Sequence, residues 1–147
     1  GSLQWAAAAE DDERVARSAI TALSSLATSE AIEALIALLA DPRRRDACVE
    51  ALAQMSKDRT EYIALGLRKG QVAVRRAVVD ALTRMKHPRA SELLGSALDD
   101  AEPAVRLAAA TALRHLGSHF AAQKLAALAR TDPDLAVRRA AQKALKR

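Results

Sequence analysis

The sequence predicts an all-α solenoid, a row of helix pairs stacked side by side, and three observations carry that prediction. A helical pattern returns five times without a gap, and its final leucines, Leu23, Leu52, Leu82, Leu113 and Leu145, stand 29, 30, 31 and 32 residues apart. Between successive copies lies a second amphipathic stretch. Half of the residues are hydrophobic, yet aromatic side chains are confined to Trp5, Tyr62 and Phe120, while alanine makes up about a quarter of the chain. A core of such small side chains requires close approach of helix on helix. The drifting period is that of a natural array with variable loops, since a designed array would hold one spacing.

The elements follow in order. The recurring segment occupies residues 15–23, 44–52, 74–82, 105–113 and 137–145. In each, the apolar positions fall at helical spacing, as in Val74, Ala77, Val78, Ala81, Leu82 and Met85, or Val105, Ala108, Ala109, Ala112, Leu113 and Leu116. The intervening stretches are Ala31, Ile32, Leu35, Ile36 and Leu39; Tyr62, Ile63, Leu65 and Leu67; Leu93, Leu94, Ala97 and Leu98; and Phe120, Leu125 and Leu128. Asp41-Pro42, Glu102-Pro103 and Asp132-Pro133 put an acidic residue and a proline ahead of the recurring helix, where the missing N–H costs nothing. Gly70 and Gly117 mark turns or helix exits. One helix pair cannot bury its apolar stripe alone, so neighbours stack into a quasi-linear array.

The runs Asp100 to Gly117 and Asp132 to Leu145 resemble HEAT repeats of the short variety seen in phycobilisome-lyase-type proteins. The resemblance covers nearly the whole chain and implies a right-handed superhelix of about four and a half HEAT-like helix pairs. Its period is shorter than the ~40–47 residues of ordinary HEAT units. The resemblance implies a scaffold or adaptor rather than an enzyme. It also implies that Arg75, Arg106 and Arg138, with Asp100 and Asp132 six residues ahead of the last two, form a ladder linking successive repeats by charge-assisted hydrogen bonds. Lys69 takes the aspartate's place in the third unit, so the ladder is expected to break there.

Counting back from Val15 places residues 3–9 on the last turns of an earlier helix, so the array is expected to start in mid-repeat. On that reading the chain is a fragment of a larger protein, or Trp5 and its neighbours cap the first core layer. Gly1-Ser2 reads as an expression scar, leaving one domain over residues 3–147. The single cysteine, Cys48, excludes an internal disulfide. The longest apolar stretch, Ala31 to Ala40, is broken by Glu33 and falls well short of the ~20 residues a membrane span needs. A cytoplasmic protein is the expectation, and 17 arginines against 6 lysines fit a bacterial genome rich in GC.

Catalytic and metal chemistry find few residues. His115 and His119 are four apart, but Gly117 divides them, and no His-Glu pair occurs, which counts against the iron-dependent hydroxylases built from HEAT-like repeats. Gly66 and Gly70 follow no strand and form no phosphate loop. No cofactor and no metal are expected.

Charge is informative through its distribution. Residues 1–73 carry 9 Lys and Arg against 11 Asp and Glu, whereas residues 74–147 carry 14 against 7. In the recurring helices, the positions six before, two before and one after the final leucine face away from the apolar stripe. Along the array they read Arg17, Thr21, Ser24; Asp46, Glu50, Ala53; Arg76, Asp80, Thr83; Leu107, Thr111, Arg114; and Arg139, Lys143, Lys146. The concave surface is thus expected to pass from mixed and acidic to basic. Arg76, Arg114, Arg139 and Lys143 are the candidate partner-binding residues, and another protein with an acidic segment is the expected partner. A nucleic acid tracked by the basic half is the alternative, opposed by the lack of stacking aromatics on these helices and by Asp46, Glu50 and Asp80. A lyase or chaperone subunit handling a tetrapyrrole rests on the family resemblance alone. The Arg43-Arg44-Arg45 run reads as a solvated loop at the start of a helix.

Overall fold

The structure is a computed structural model that describes residues 2–146, with side chains from residue 11 onward. Among the described residues there are nine α-helices and no strand: α1 (Ser2–Leu26), α2 (Ser29–Leu38), α3 (Pro42–Ala53), α4 (Thr60–Ala64), α5 (Val72–Met85), α6 (Pro88–Ala97), α7 (Pro103–Leu116), α8 (Ala122–Thr131) and α9 (Leu135–Leu145). The odd-numbered helices, which carry the recurring segment, stack in succession from α1 to α9. The even-numbered ones form a second layer, with α2 on α4, α4 on α6, and α6 against the turn His119–Ala121 that leads into α8. The chain is an α-solenoid. Its odd layer is the more densely packed and carries the positions expected to line the inner face.

Local chemistry sets the helix boundaries. Asp41 accepts the Arg43 N–H at 2.9 Å with Pro42 in the first helical position, and Asp134 accepts the Val137 N–H at 3.0 Å at the start of α9. Thr28 caps α2 through the Ala31 N–H. His87 caps α6 in the same way, its Nδ1 accepting the Arg89 N–H at 3.1 Å. At the other ends, Gly117 leaves α7 with φ of 108°, as expected. Ala27 and Lys86 end α1 and α5 in the left-handed conformation without glycine, at φ of 47° and 52°.

The core follows the predicted stripes: Leu52, Leu82 and Leu113 are buried between neighbouring pairs, together with Ile32, Leu35, Leu39, Leu94, Leu98 and Leu125. Five apolar residues assigned to those stripes are instead exposed, namely Val15, Tyr62, Leu65, Phe120 and Leu145. For Tyr62 and Leu65 the reason is geometric. α4 is one short helical segment between 3-10 turns at Lys57–Arg59 and Leu65–Arg68, and a 3-10 path repeats every three residues. Thr60, Ile63 and Gly66 therefore point inward, and Tyr62 and Leu65 turn outward. Gly66 permits this path, because a Cβ there would sit 2.5 Å from Val78 Cγ2 and 3.3 Å from Ile36 Cγ2. Val15 is 68% exposed because, among the described residues, no helix of the even layer lies before α1 to cover it.

Residues 3–9 do not form the stump of a separate helix. They are the opening turns of α1, which runs unbroken because no proline or glycine interrupts residues 2–26. The proposed Trp5 cap falls outside the described side chains.

Candidate functional site

The four expected binding residues all project, exposed, from the inner layer: Arg76 from α5, Arg114 from α7, and Arg139 and Lys143 from α9. Three of them meet. Arg114, Arg139 and Lys143 line a cleft of about 580 Å³ between α7 and α9, together with Leu107, Thr111, Asp134, Leu135, Ala136 and Ala140. Arg76 lies instead in a neighbouring cleft of about 500 Å³ across α3, α5 and α7, with Arg45, Asp46, Asp80, Thr83 and His115 among its walls. Thr111 lines both clefts and so joins them.

Their electrostatics differ. The first cleft holds three cations and one carboxylate, and that carboxylate, Asp134, is engaged with the Val137 N–H as the cap of α9. The second mixes signs: Asp80 accepts two bonds from Arg84, at 3.0 and 3.2 Å, and Asp46 faces Arg45 and Arg76 across the same space.

A ladder of arginines at the starts of α5 and α7 holds this layer in register. Arg106 donates through Nε and Nη2 to both carboxylate oxygens of Asp132, at 2.7 and 3.1 Å, while its Nη1 donates to the Asp100 and Ala101 carbonyls. Arg75 repeats the arrangement one unit earlier, reaching Asp100 at 2.8 and 3.0 Å and the Lys69 and Gly70 carbonyls. Each guanidinium thus ties its own interhelical loop to the next repeat, in the planar bidentate geometry that arginine alone provides. Burial pushes the Asp100 and Asp132 carboxyls up, but their arginine partners and the backbone N–H groups of Glu102 and Asp134 more than offset it, leaving both below the usual aspartate range. The break at Lys69 is found as expected: Arg45 donates to the Leu39 and Ala40 carbonyls, and Lys69 turns to Glu33 at 3.9 Å.

The arginine run is misread by sequence. Residues 43–45 lie in the first turn of α3, not in a loop, and Arg44 is buried, pairing with Glu13 of α1 at 2.5 Å. Arg44 stands where valine stands in the other four copies, and its long stem reaches across to α1. Glu13 precedes the recurring segment of its own repeat, so no column of the array signals the pairing. Leu135, Ala136 and His115 were also missed as cleft walls, since they fall outside the three facing columns.

Two further groups are settled by position. Cys48 is fully buried, and burial pushes its thiol up to about 11, a packing role rather than a nucleophilic one. His115 lies in the last turn of α7 while His119 lies beyond Gly117 against the Phe120 ring. Among the described residues no three His, Cys, Asp or Glu side chains converge as a metal site requires, and no helix is long and apolar enough to cross a membrane.

This geometry defines a class, a short α-solenoid with a cationic cleft between α7 and α9, and comparison with known proteins gives the family. HEAT repeats match residues 61–146 and the PBS lyase HEAT-like repeat matches residues 15–41, so the chain belongs to the HEAT repeat family. No curated protein matches it in sequence. Among solved structures, human deoxyhypusine hydroxylase superimposes with a TM-score of 0.63 and 28% identity, over 78% of this chain and 42% of that one. The chain therefore spans less than half of that protein's length. A computationally designed armadillo repeat protein for modular peptide recognition superimposes with a TM-score of 0.52 and 20% identity, over 91% of this chain and 76% of its own, which shows the shared architecture.

Proposed function

We propose that this chain is a non-catalytic interaction module that binds an acidic segment of a partner protein along its inner face, through Arg114, Arg139 and Lys143 with Arg76 in support. The observation that carries this reading is the α7–α9 cleft, where three cations border one recess and its single carboxylate already caps a helix. The Arg106–Asp132 pair, which ties α7 to the repeat that carries α9, supports the proposal as well, because a preorganised surface loses little freedom when a partner docks. The designed armadillo protein, built for peptide recognition, lends the fold as precedent for a peptide-binding face.

The hydroxylase neighbour supplies a second reading. A hydroxylase of the iron-dependent kind would need several ligating side chains brought together, and the described residues of this chain offer no such set.

The test is binding of a labelled acidic peptide, followed by fluorescence anisotropy at physiological salt, with random duplex DNA in parallel. The wild type should bind the peptide, and joint replacement of Arg114, Arg139 and Lys143 by glutamate should weaken that binding roughly tenfold or more while the helical circular dichroism is unchanged. DNA should bind only at the ~10⁻⁴–10⁻⁶ M of unspecific contacts. Submicromolar, salt-steep DNA binding that the triple variant loses would make the inner face a phosphate track and overturn the proposal.

A further inference from the structure

The α7–α9 cleft contains a feature that charge alone does not explain. Leu107 occupies the facing position held by Arg17, Asp46, Arg76 and Arg139 in the other copies. It lies half-buried in the wall of the recess, and Leu135, 49% exposed, forms part of the same wall. Leu135 opens α9 at the position that proline takes in α3 and α7. It can stand there because the proline of this unit, Pro133, comes two residues earlier. Ala136 and Ala140, both small, complete the apolar lining of the recess. A lone surface leucine is ordinary. Two leucines on the walls of one recess, bordered by cations, form an apolar socket with a charged rim, the anatomy of a specific docking site.

We propose that this cleft recognises a particular class of acidic segment, one in which an apolar side chain, leucine-like in size, is flanked by Asp or Glu. The apolar side chain enters between Leu107 and Leu135, and the flanking carboxylates reach Arg114 on one wall and Arg139 and Lys143 on the other. This rests on the reading that the inner face binds an acidic segment, and it adds the element that selects among acidic segments. Phosphate backbones carry the charge without the apolar group and fill only the rim. The charge order along the array gives a direction too: the carboxylates bind chiefly over α7 and α9, while the adjoining cleft, where Asp46 and Asp80 stand beside Arg76, adds only a weaker attraction.

Anisotropy titrations with two labelled synthetic peptides test this. One is a short run of aspartates and glutamates around a central leucine, and its twin has serine in place of the leucine. The wild type should prefer the leucine peptide by roughly fivefold to tenfold, the gain of partly burying one aliphatic side chain. Leu135→Ser should bind both peptides with the affinity that the wild type shows for the serine twin, and Leu135→Met should retain the preference. Leu135 opens its helix and is half exposed, so folding of the variants should be unchanged, as circular dichroism would check. Equal binding of the twins by the wild type, with both lost in the triple glutamate variant, would overturn the socket and leave the acidic-segment reading standing. Failure of the wild type to bind either peptide would overturn both.

Discussion

The two halves of the solenoid solve the same stacking problem by different means. From α5 to α9, successive repeats are joined by Arg75–Asp100 and Arg106–Asp132, each bidentate and largely shielded from solvent. Between α1 and α5 this ladder is missing: Ala16 and Leu39 stand at the first pair of positions, and Arg45 and Lys69 at the second. There the described ion pairs that join repeats are Arg44–Glu13, whose glutamate is half exposed, and the exposed Lys69–Glu33 contact. The better connected half is also the cationic half that carries the candidate site. Strong coupling between repeats keeps neighbouring helices at fixed spacing, and a site assembled from two helices depends on that spacing.

The largest expected effect breaks the ladder at its most buried rung. Asp132→Ala would leave Arg106 buried and without its carboxylate partner, at a cost of ~3–5 kcal/mol, read as a fall in the urea midpoint. An equal loss on truncating Glu13 to alanine would erase the distinction between the halves. Close behind is Leu113→Ala, which removes a side chain 1% exposed between α7 and its neighbours and should cost ~2–5 kcal/mol through lost burial and a cavity. An unchanged midpoint would mean that the repeat register is wrong.

The next effect belongs to the seam between the halves. Gly66→Ala would drive a Cβ to 2.5 Å from the buried Val78, and relieving that contact should cost ~1–3 kcal/mol in the same melts. Acid should act on the ladder half first. Because the Asp100 and Asp132 carboxyls titrate below the usual range when folded, their stabilisation is complete above the unfolded aspartate value of about 3.9 and is lost as pH falls through the lowered folded values. Amide exchange followed from pH 5 downward should therefore show protection lost in α7 and α9 in step with that titration. The smallest effect restores what is missing: Lys69→Asp offers Arg45 a carboxylate and should raise stability by ~1 kcal/mol or less, while giving up an exposed contact with Glu33.

These contrasts show how much was legible in the sequence. The repeat, the helix pairing, the core leucines Leu52, Leu82 and Leu113 and the Arg75 and Arg106 rungs with the break at Lys69 could be read directly, because each rests on spacing along a helix or on one residue type at one recurring position. What could not be read depends on local departures from the repeat. The 3-10 path around α4 turned Tyr62 and Leu65 outward, and only the close approach at Gly66 reveals why. Arg44 was buried by a partner 31 residues away, a distance that no local pattern encodes. His87 caps a helix through an imidazole nitrogen, a residue that capping preferences do not favour. For the candidate site, the four basic residues were found by column, but only the structure gathered three of them into one recess and set Leu135 beside them.

The central claim is that the α7–α9 cleft is where a partner's acidic segment binds, and its most direct test is a titration of isotope-labelled protein with the leucine-bearing acidic peptide, followed by amide chemical shifts. Shifts are expected to concentrate at Leu107 to Arg114 and at Leu135 to Lys143, with α1 and α3 silent. Shifts centred on α1 and α3, or on the outer layer, with the α7–α9 cleft unmoved, would contradict it.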